Sequence, residues 1–303
     1  MRSHVYCLIT IFLFSTIEVV SKWLGGGIHP NAITAWRFLI GGAVILPLAI
    51  RQIKAHKTQL GLGSILRIGA LGILNVCISM LLLQWSVLYG KASLSAILVA
   101  LNPLFVSLFA FIILKERLGF ATKIGLASGL IGLLLIVLGE QNMLVGYKNL
   151  PLGIGLALGA ALTFGLYTVL GKSLVARHGN LTVNSLSFVI GSLGLFVISF
   201  FLGVDTGIRM SLNNLAVVAY LGLFVTGLAY ILFFEALKKL PASTVSMYFF
   251  FKPVIASLLA WVLTSERLSI VQIVGIAVVI GSQVMIRTRV FKSPVPPVMA
   301  EGA

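Results

Sequence analysis

The chain has 303 residues, 59% of them apolar and only 10% charged, with a net charge of +15 and a mean hydropathy of +1.11. A water-soluble domain carries about 25% charged residues to solvate its surface, so this composition excludes a soluble globular protein. The basic residues are scattered among the ends of apolar stretches instead of forming one patch, which argues against nucleic acid as a partner.

Apolar stretches of about 18–20 residues follow one another along the chain, each long enough to cross a bilayer core of about 30 Å. Backbone groups in such a segment must be paired internally, so the segments are read as helices; the period-2 alternation of a membrane β-barrel is absent. The fold class predicted is therefore an all-α membrane protein of about ten transmembrane helices.

The first span, 5–24, is too long for a cleaved signal peptide and lacks a small-x-small cleavage site. It carries Glu18, the sole acid placed well inside a predicted span, with Lys22 one turn later. Glu18 is read as a proton-coupling group, as an anchor for a substrate amine, or as half of a self-satisfied pair with Lys22. In the second span, 31–50, Arg37 beside Trp36 is read as structural. The third, 66–88, contains Cys77 and the pair Gln84-Trp85, which could line an external vestibule. Cys77 and Cys7, both intramembrane, read as small packing residues with no disulfide framework.

The fourth span, 92–114, holds Asn102-Pro103, a polar amide beside a helix break. The fifth covers 120–138, and the sixth, 152–174, contains Tyr167 as a weaker site candidate and ends on Lys172, read with Lys22 as a snorkelling lysine. The seventh and eighth are placed at 182–203 and 213–236. The ninth, 241–264, has the sharpest feature: Lys252 halfway along it, followed by Pro253 and preceded one turn earlier by Tyr248. A charge at mid-bilayer costs at least about 2.5–3.5 kcal/mol, so it normally faces a cavity or a partner. A cation beside a proline break suits an anionic group such as a substrate carboxylate; the competing reading is a structural ion pair. The tenth span is 269–286, and a Pro-rich tail expected to be disordered follows it, 287–303.

With the N-terminus inside, the cytoplasmic segments hold most of the basic residues, from Arg2 through Arg67, Lys115, Arg177 and Lys238 to Lys292. The external loops hold Lys91, Lys148, Arg209 and Arg267. This asymmetry places both termini in the cytoplasm and offers basic loops to anionic lipid headgroups. Trp23, Trp36, Trp85 and Trp261 fall toward the external side of their spans, as an interfacial aromatic belt would.

Shifting the sequence against itself by 150 positions gives a gap-free match. It pairs Lys22 with Lys172, Phe38 with Phe188, Gly41 with Gly191, Gly72 with Gly222, Ala92 with Ala242, Pro103 with Pro253, and Glu116-Arg117-Leu118 with Glu266-Arg267-Leu268. Shared apolar composition does not align Pro, Lys and an E-R-L triplet at one offset. Each unit holds five crossings, an odd number, so the second enters the membrane from the opposite side. Two inverted repeats, 5–138 and 152–286, are the usual basis of alternating access about a midplane site.

Several runs resemble a known family. F-S-T-I-E-V-V-S-K-W-L, then H-P, W-R-F and L-P (Phe14 to Pro47) looks like the opening of an EamA-type unit of the drug/metabolite transporter superfamily. L-N-P-L-F with K-E-R-L (Leu101 to Leu118), and F-K-P-V-I-A-S-L-L-A-W with S-E-R-L (Phe251 to Leu268), are similar to that unit's fourth-helix signature, once per half. The resemblance implies a ten-helix carrier with a central cavity lined mainly by helices 1, 3, 4, 6, 8 and 9. It implies substrates among amino acids, nucleotide sugars, sugar phosphates, polyamines and drugs, and it favours export.

The function expected is secondary transport of small organic metabolites, with amino acids first because one buried cation and one buried anion suit a zwitterion. Exchange of anions such as sugar phosphates is the second reading, and a non-transporting membrane accessory subunit the third. Enzymatic readings lack support: the four histidines are terminal or in loops, no Cys/His ligand spacing or phosphate-cradling glycine loop occurs, and the chain has one Asp. No cofactor is expected. The expected partners are a small-molecule substrate, the lipid bilayer in a bacterial inner membrane and, as an open alternative, a second copy in a homodimer.

Overall fold

The computed structural model describes residues 2–17, 20, 28–56, 60–89, 92–139, 149–208, 211–255, 258 and 269–290. Among these residues every regular element is helical. Seven helices are long and apolar enough to cross a membrane, and two shorter apolar helices stand at either end of the chain.

In chain order the helices are α1 (Arg2–Ser15), α2 (Pro30–His56), α3 (Leu62–Gly72), α4 (Met80–Tyr89), α5 (Ala92–Val99), α6 (Asn102–Ile113) and α7 (Phe120–Leu138). The second half continues with α8 (Leu150–His178), α9 (Asn180–Phe201), α10 (Leu212–Tyr220), α11 (Ala229–Leu237), α12 (Ala242–Ser246) and α13 (Ile270–Val290). α3 and α4 are one continuous span joined by a π-helical segment, Ile73–Ser79, and α10 and α11 are joined the same way by Leu221–Leu228. α2 and α8 extend past the expected spans 31–50 and 152–174, because polar and basic end residues still favour helix once outside the lipid. Much of the later part of the first and ninth spans, including Glu18, Lys22, Trp23 and Trp261, lies outside the described residues, as does Glu266 just past the ninth.

The two halves interlock through pairs of contacts that the 150-residue shift converts into each other. α2 and α9 cross with Phe38 against Phe188, ring centroids 5.0 Å apart and edge to face. These are equivalent positions of the two units at the 150-residue shift. On one side of that contact Ser185 Oγ donates to the Gly42 carbonyl at 3.0 Å. On the other, Ser192 Oγ donates to the Ala35 carbonyl at 2.8 Å, and the shift maps one bond onto the other.

The glycines obey the same relation. A Cβ on Gly41 would stand 2.9 Å from the Gly222 carbonyl oxygen, and one on Gly191 would stand 2.5 Å from that of Gly72. Small residues let helix backbones approach this closely, which in lipid replaces the hydrophobic drive available in water. Each half thus presses its second helix against the third span of the other.

Around this crossing the interior is aromatic. Phe14, Phe38, Phe164, Tyr167, Phe188, Tyr230, Phe233, Phe234 and Phe249 are all buried, and Tyr230 packs edge to face on Phe14, Phe38, Tyr167 and Phe188 at 5.0–6.2 Å. Leu and Phe on the helix exteriors, such as Phe111, Phe120, Phe200 and Phe201, are exposed, as a lipid-facing surface requires. Cys7 and Cys77 are buried free thiols, and Cys77 donates to the Gly191 carbonyl at 3.2 Å.

Candidate functional site

A cavity opens between the halves. Its wall comprises Phe14 from α1, Ile17 just beyond it, Arg37 from α2, Ser79 at the end of the first π segment, Met80 and Leu83 from α4, and Val99 from α5. The second half supplies Ala160 and Phe164 from α8, Tyr230 from α11, Phe249 and Lys252. These are the helices that the family resemblance names, with α2 added through Arg37. The cavity has a volume of about 40 Å³. At about 10–15 Å³ per water that holds roughly three, so a metabolite enters only if the walls part.

Two cations face this space. Lys252 is 4% exposed and Arg37 is 1% exposed. Lys252 reaches the wall because the ninth span is irregular at that point. α12 ends at Ser246, a 3₁₀ turn covers Met247–Phe250, and a helical stretch over 251–255 carries Lys252 and Pro253. Pro253 has no N–H to give and its ring disfavours a regular turn before it, which is where the 3₁₀ geometry lies. Arg37 lies over the Phe38 ring, 4.6 Å from its centroid, and its Nη2 stands 3.1 Å from the Met80 sulfur. Aromatic faces and thioethers stabilise a guanidinium, and the planar donors of a guanidinium match a carboxylate or phosphate.

The fourth span breaks as well. α5 ends at Val99 and α6 starts at Asn102, with Pro103 in its first turn, where a missing N–H costs nothing. Asn102 is fully buried and its Nδ2 donates to the Ala161 carbonyl at 3.1 Å, tying α6 to α8 one residue from the cavity-lining Ala160. Tyr248 is buried, and its hydroxyl shares a 2.6 Å hydrogen bond with His4 Nδ1, holding α1 to the ninth span one turn before Lys252.

Some expectations are placed elsewhere. Tyr167 is fully buried but sits behind the wall, packed on Phe164, Tyr230 and Phe234. Trp85 is 36% exposed and is not part of the wall, whereas Trp36, equally exposed, donates to the Thr206 carbonyl at 3.0 Å. Glu18 lies outside the described residues. His4, read from the sequence as a terminal residue, is a buried residue of α1 whose ring pairs with Tyr248.

Lys172 corrects its snorkelling assignment. Its Nζ bonds Glu116 Oε1 at 2.6 Å and the Leu240 carbonyl at 3.0 Å, while Glu116 Oε2 accepts from the Ala242 N–H at 2.9 Å. A carboxylate at the first N–H groups of α12 satisfies donors that the helix leaves open. One knot therefore joins the end of the fourth span, the sixth, and the link between the eighth and ninth.

Reading the sequence missed Arg37 as a wall residue and missed the aromatic ring of Phe14, Phe164, Tyr230 and Phe249. The signal for Arg37 was its charge within a span, which on cost grounds points to a cavity as firmly as Lys252 does. The aromatics carried no signal, since Phe is common on every face of these helices.

A model of the EamA-like transporter family matches the chain twice, over residues 1–138 and 151–288. An uncharacterized transporter of Clostridium kluyveri is 34% identical over 93% of this chain and 92% of its own length. An uncharacterized transporter of Archaeoglobus fulgidus is 25% identical over 95% and 100%, and the uncharacterized transporter YyaM of Bacillus subtilis is 27% identical over 89% and 88%. A solved crystal structure at 19% identity superposes with a TM-score of 0.77, covering 96% of this chain and 99% of the other, which shows the fold. With its unit present in both halves, the chain belongs to the EamA-like transporter family.

Proposed function

We propose that the protein is a secondary transporter, by alternating access, of small organic metabolites that join a carboxylate to an apolar or aromatic body, amino acids first among them. The observation that carries this reading is the cavity wall, in which Arg37 and Lys252 stand among Phe14, Phe164, Tyr230 and Phe249. A guanidinium and an ammonium suit a carboxylate, and the rings suit the rest of such a molecule. Glu18, next in the chain to the wall residue Ile17, is the proposed partner of a substrate amine or of a coupling proton.

Two inverted five-helix repeats, ten helices in all, support alternation, because swapping their roles turns a cavity open on one side into one open on the other. The charge asymmetry supports a bacterial inner membrane with both termini in the cytoplasm. The outward direction of transport rests on the family resemblance alone.

A second reading gains from the same wall. Two cations line it and no described acid does, which also suits exchange of anionic metabolites such as sugar phosphates. Uptake by purified protein in liposomes, with no partner present, tests both and the accessory-subunit reading as well. Labelled apolar amino acids should accumulate under an imposed proton gradient; uptake that requires a trapped anion on the far side indicates exchange, and no uptake of either class contradicts transport. Lys252→Ala should lower uptake about 10–100-fold while leaving insertion and melting unchanged, since a charge-assisted hydrogen bond contributes about 1.5–3 kcal/mol. Wild-type rates in that variant would remove Lys252 from the site.

A further inference from the structure

A second concavity lies away from the transport cavity, in the cleft where α3 meets α8. It has a volume of about 430 Å³ and is lined by Arg67, Ala70, Leu71 and Leu74 on one side and by Leu170, Ser173, Leu174 and Arg177 on the other. Both sets follow i, i+3, i+4, i+7, one face of each helix. The two faces run antiparallel: Arg67 starts its set and Arg177 ends the other, so both guanidiniums stand at the same mouth. From that mouth the leucines line a slot whose eight-residue walls span about 10 Å.

The two charges are not balanced among the described residues. Neither arginine forms an ion pair among the described residues, both are exposed, and the charges of both reach the imidazole of His178. Two like charges at one mouth repel, and an anion between them relieves this. The apolar walls below ask for something water-insoluble attached to that anion. Basic pockets between membrane helices on the cytoplasmic side hold anionic lipid headgroups in this way.

We propose that this cleft is a binding site for one anionic phospholipid, its phosphodiester between Arg67 and Arg177 and the upper part of an acyl chain against Leu71, Leu74, Leu170 and Leu174. The lipid would bridge the two halves, since α3 belongs to the first and α8 to the second. The site stands on geometry separate from the transport cavity and does not depend on what that cavity carries.

Native mass spectrometry of the full chain in detergent, offered equal amounts of phosphatidylglycerol and phosphatidylcholine, tests it. The wild-type chain should retain phosphatidylglycerol preferentially. Arg67→Ala with Arg177→Ala should reduce that preference about 30-fold, each basic residue near the membrane surface contributing about a factor of five. Leu174→Trp keeps both charges but fills the slot, and it too should lose the retained lipid; this arm stands even if the double variant folds poorly. Undiminished preference in a folded double variant or in Leu174→Trp would overturn the proposal. So would displacement of the lipid by millimolar inorganic phosphate, which would mark a site for free anions.

Discussion

At the residue scale the packing makes the effect of a single methyl depend on position. Gly72 faces the backbone of α9 so closely that a Cβ there runs into the Ser187 carbonyl, and neither backbone can retreat without breaking the pair formed by Gly191. Gly72→Ala is therefore expected to destabilise the fold by about 3 kcal/mol or more, at the upper end for overpacking. Gly155, on the same kind of apolar helix, has no atom within 4 Å of where a Cβ would go. Gly155→Ala should be neutral or stabilise by up to about 1 kcal/mol through helix propensity. Thermal melting of the two variants in detergent checks the contrast; equal melting points would mean that the crossing is looser than described. In the sequence both are glycines inside apolar runs. What separated them was the duplication, since Gly72 has a counterpart in Gly222 and Gly155 has none at Val5.

Elements show how irregular helix serves the site. The third and eighth spans each switch to π geometry at matching places, Ile73–Ser79 and Leu221–Leu228, and the fourth and ninth each break near their proline. π segments inside α-helices concentrate at functional positions, and here the first ends on Ser79 and the second ends two residues before Tyr230, both in the cavity wall. The proline breaks were legible because Pro has a fixed steric effect. The π segments were not, because Ile, Leu, Val and Gly give no local sign of a wider turn. The Glu116–Lys172 tie was half legible: both residues repeat at the shift, yet they are 56 positions apart and only packing brings them together. In the proposed cycle this tie holds one end of the bundle shut. Glu116→Gln removes the charge and keeps the length, so it should favour opening about 5–30-fold, as loss of 1–2 kcal/mol implies. Faster amide exchange across Ala242–Ser246 is the expected readout; unchanged exchange would show that the tie does not hold this end.

For the whole molecule, the duplication was the most readable feature, and it organises the structure down to paired hydrogen bonds at Ser185 and Ser192. Composition alone was enough for a helical membrane protein, and the fourth-helix motifs for the family. The cavity wall was only partly readable: Lys252 declared itself by its cost in lipid, whereas Arg37 was attributed to fold support, and the aromatic ring emerges only when seven helices converge. That convergence is where the functional account rests. In a chain carrying Cys7→Ala and Cys77→Ala, a cysteine placed by Leu83→Cys in the cavity wall can be offered a membrane-impermeant maleimide from either face of oriented vesicles. Alternating access predicts labelling from both faces, slowed from both by bound substrate; labelling from one face alone would contradict it.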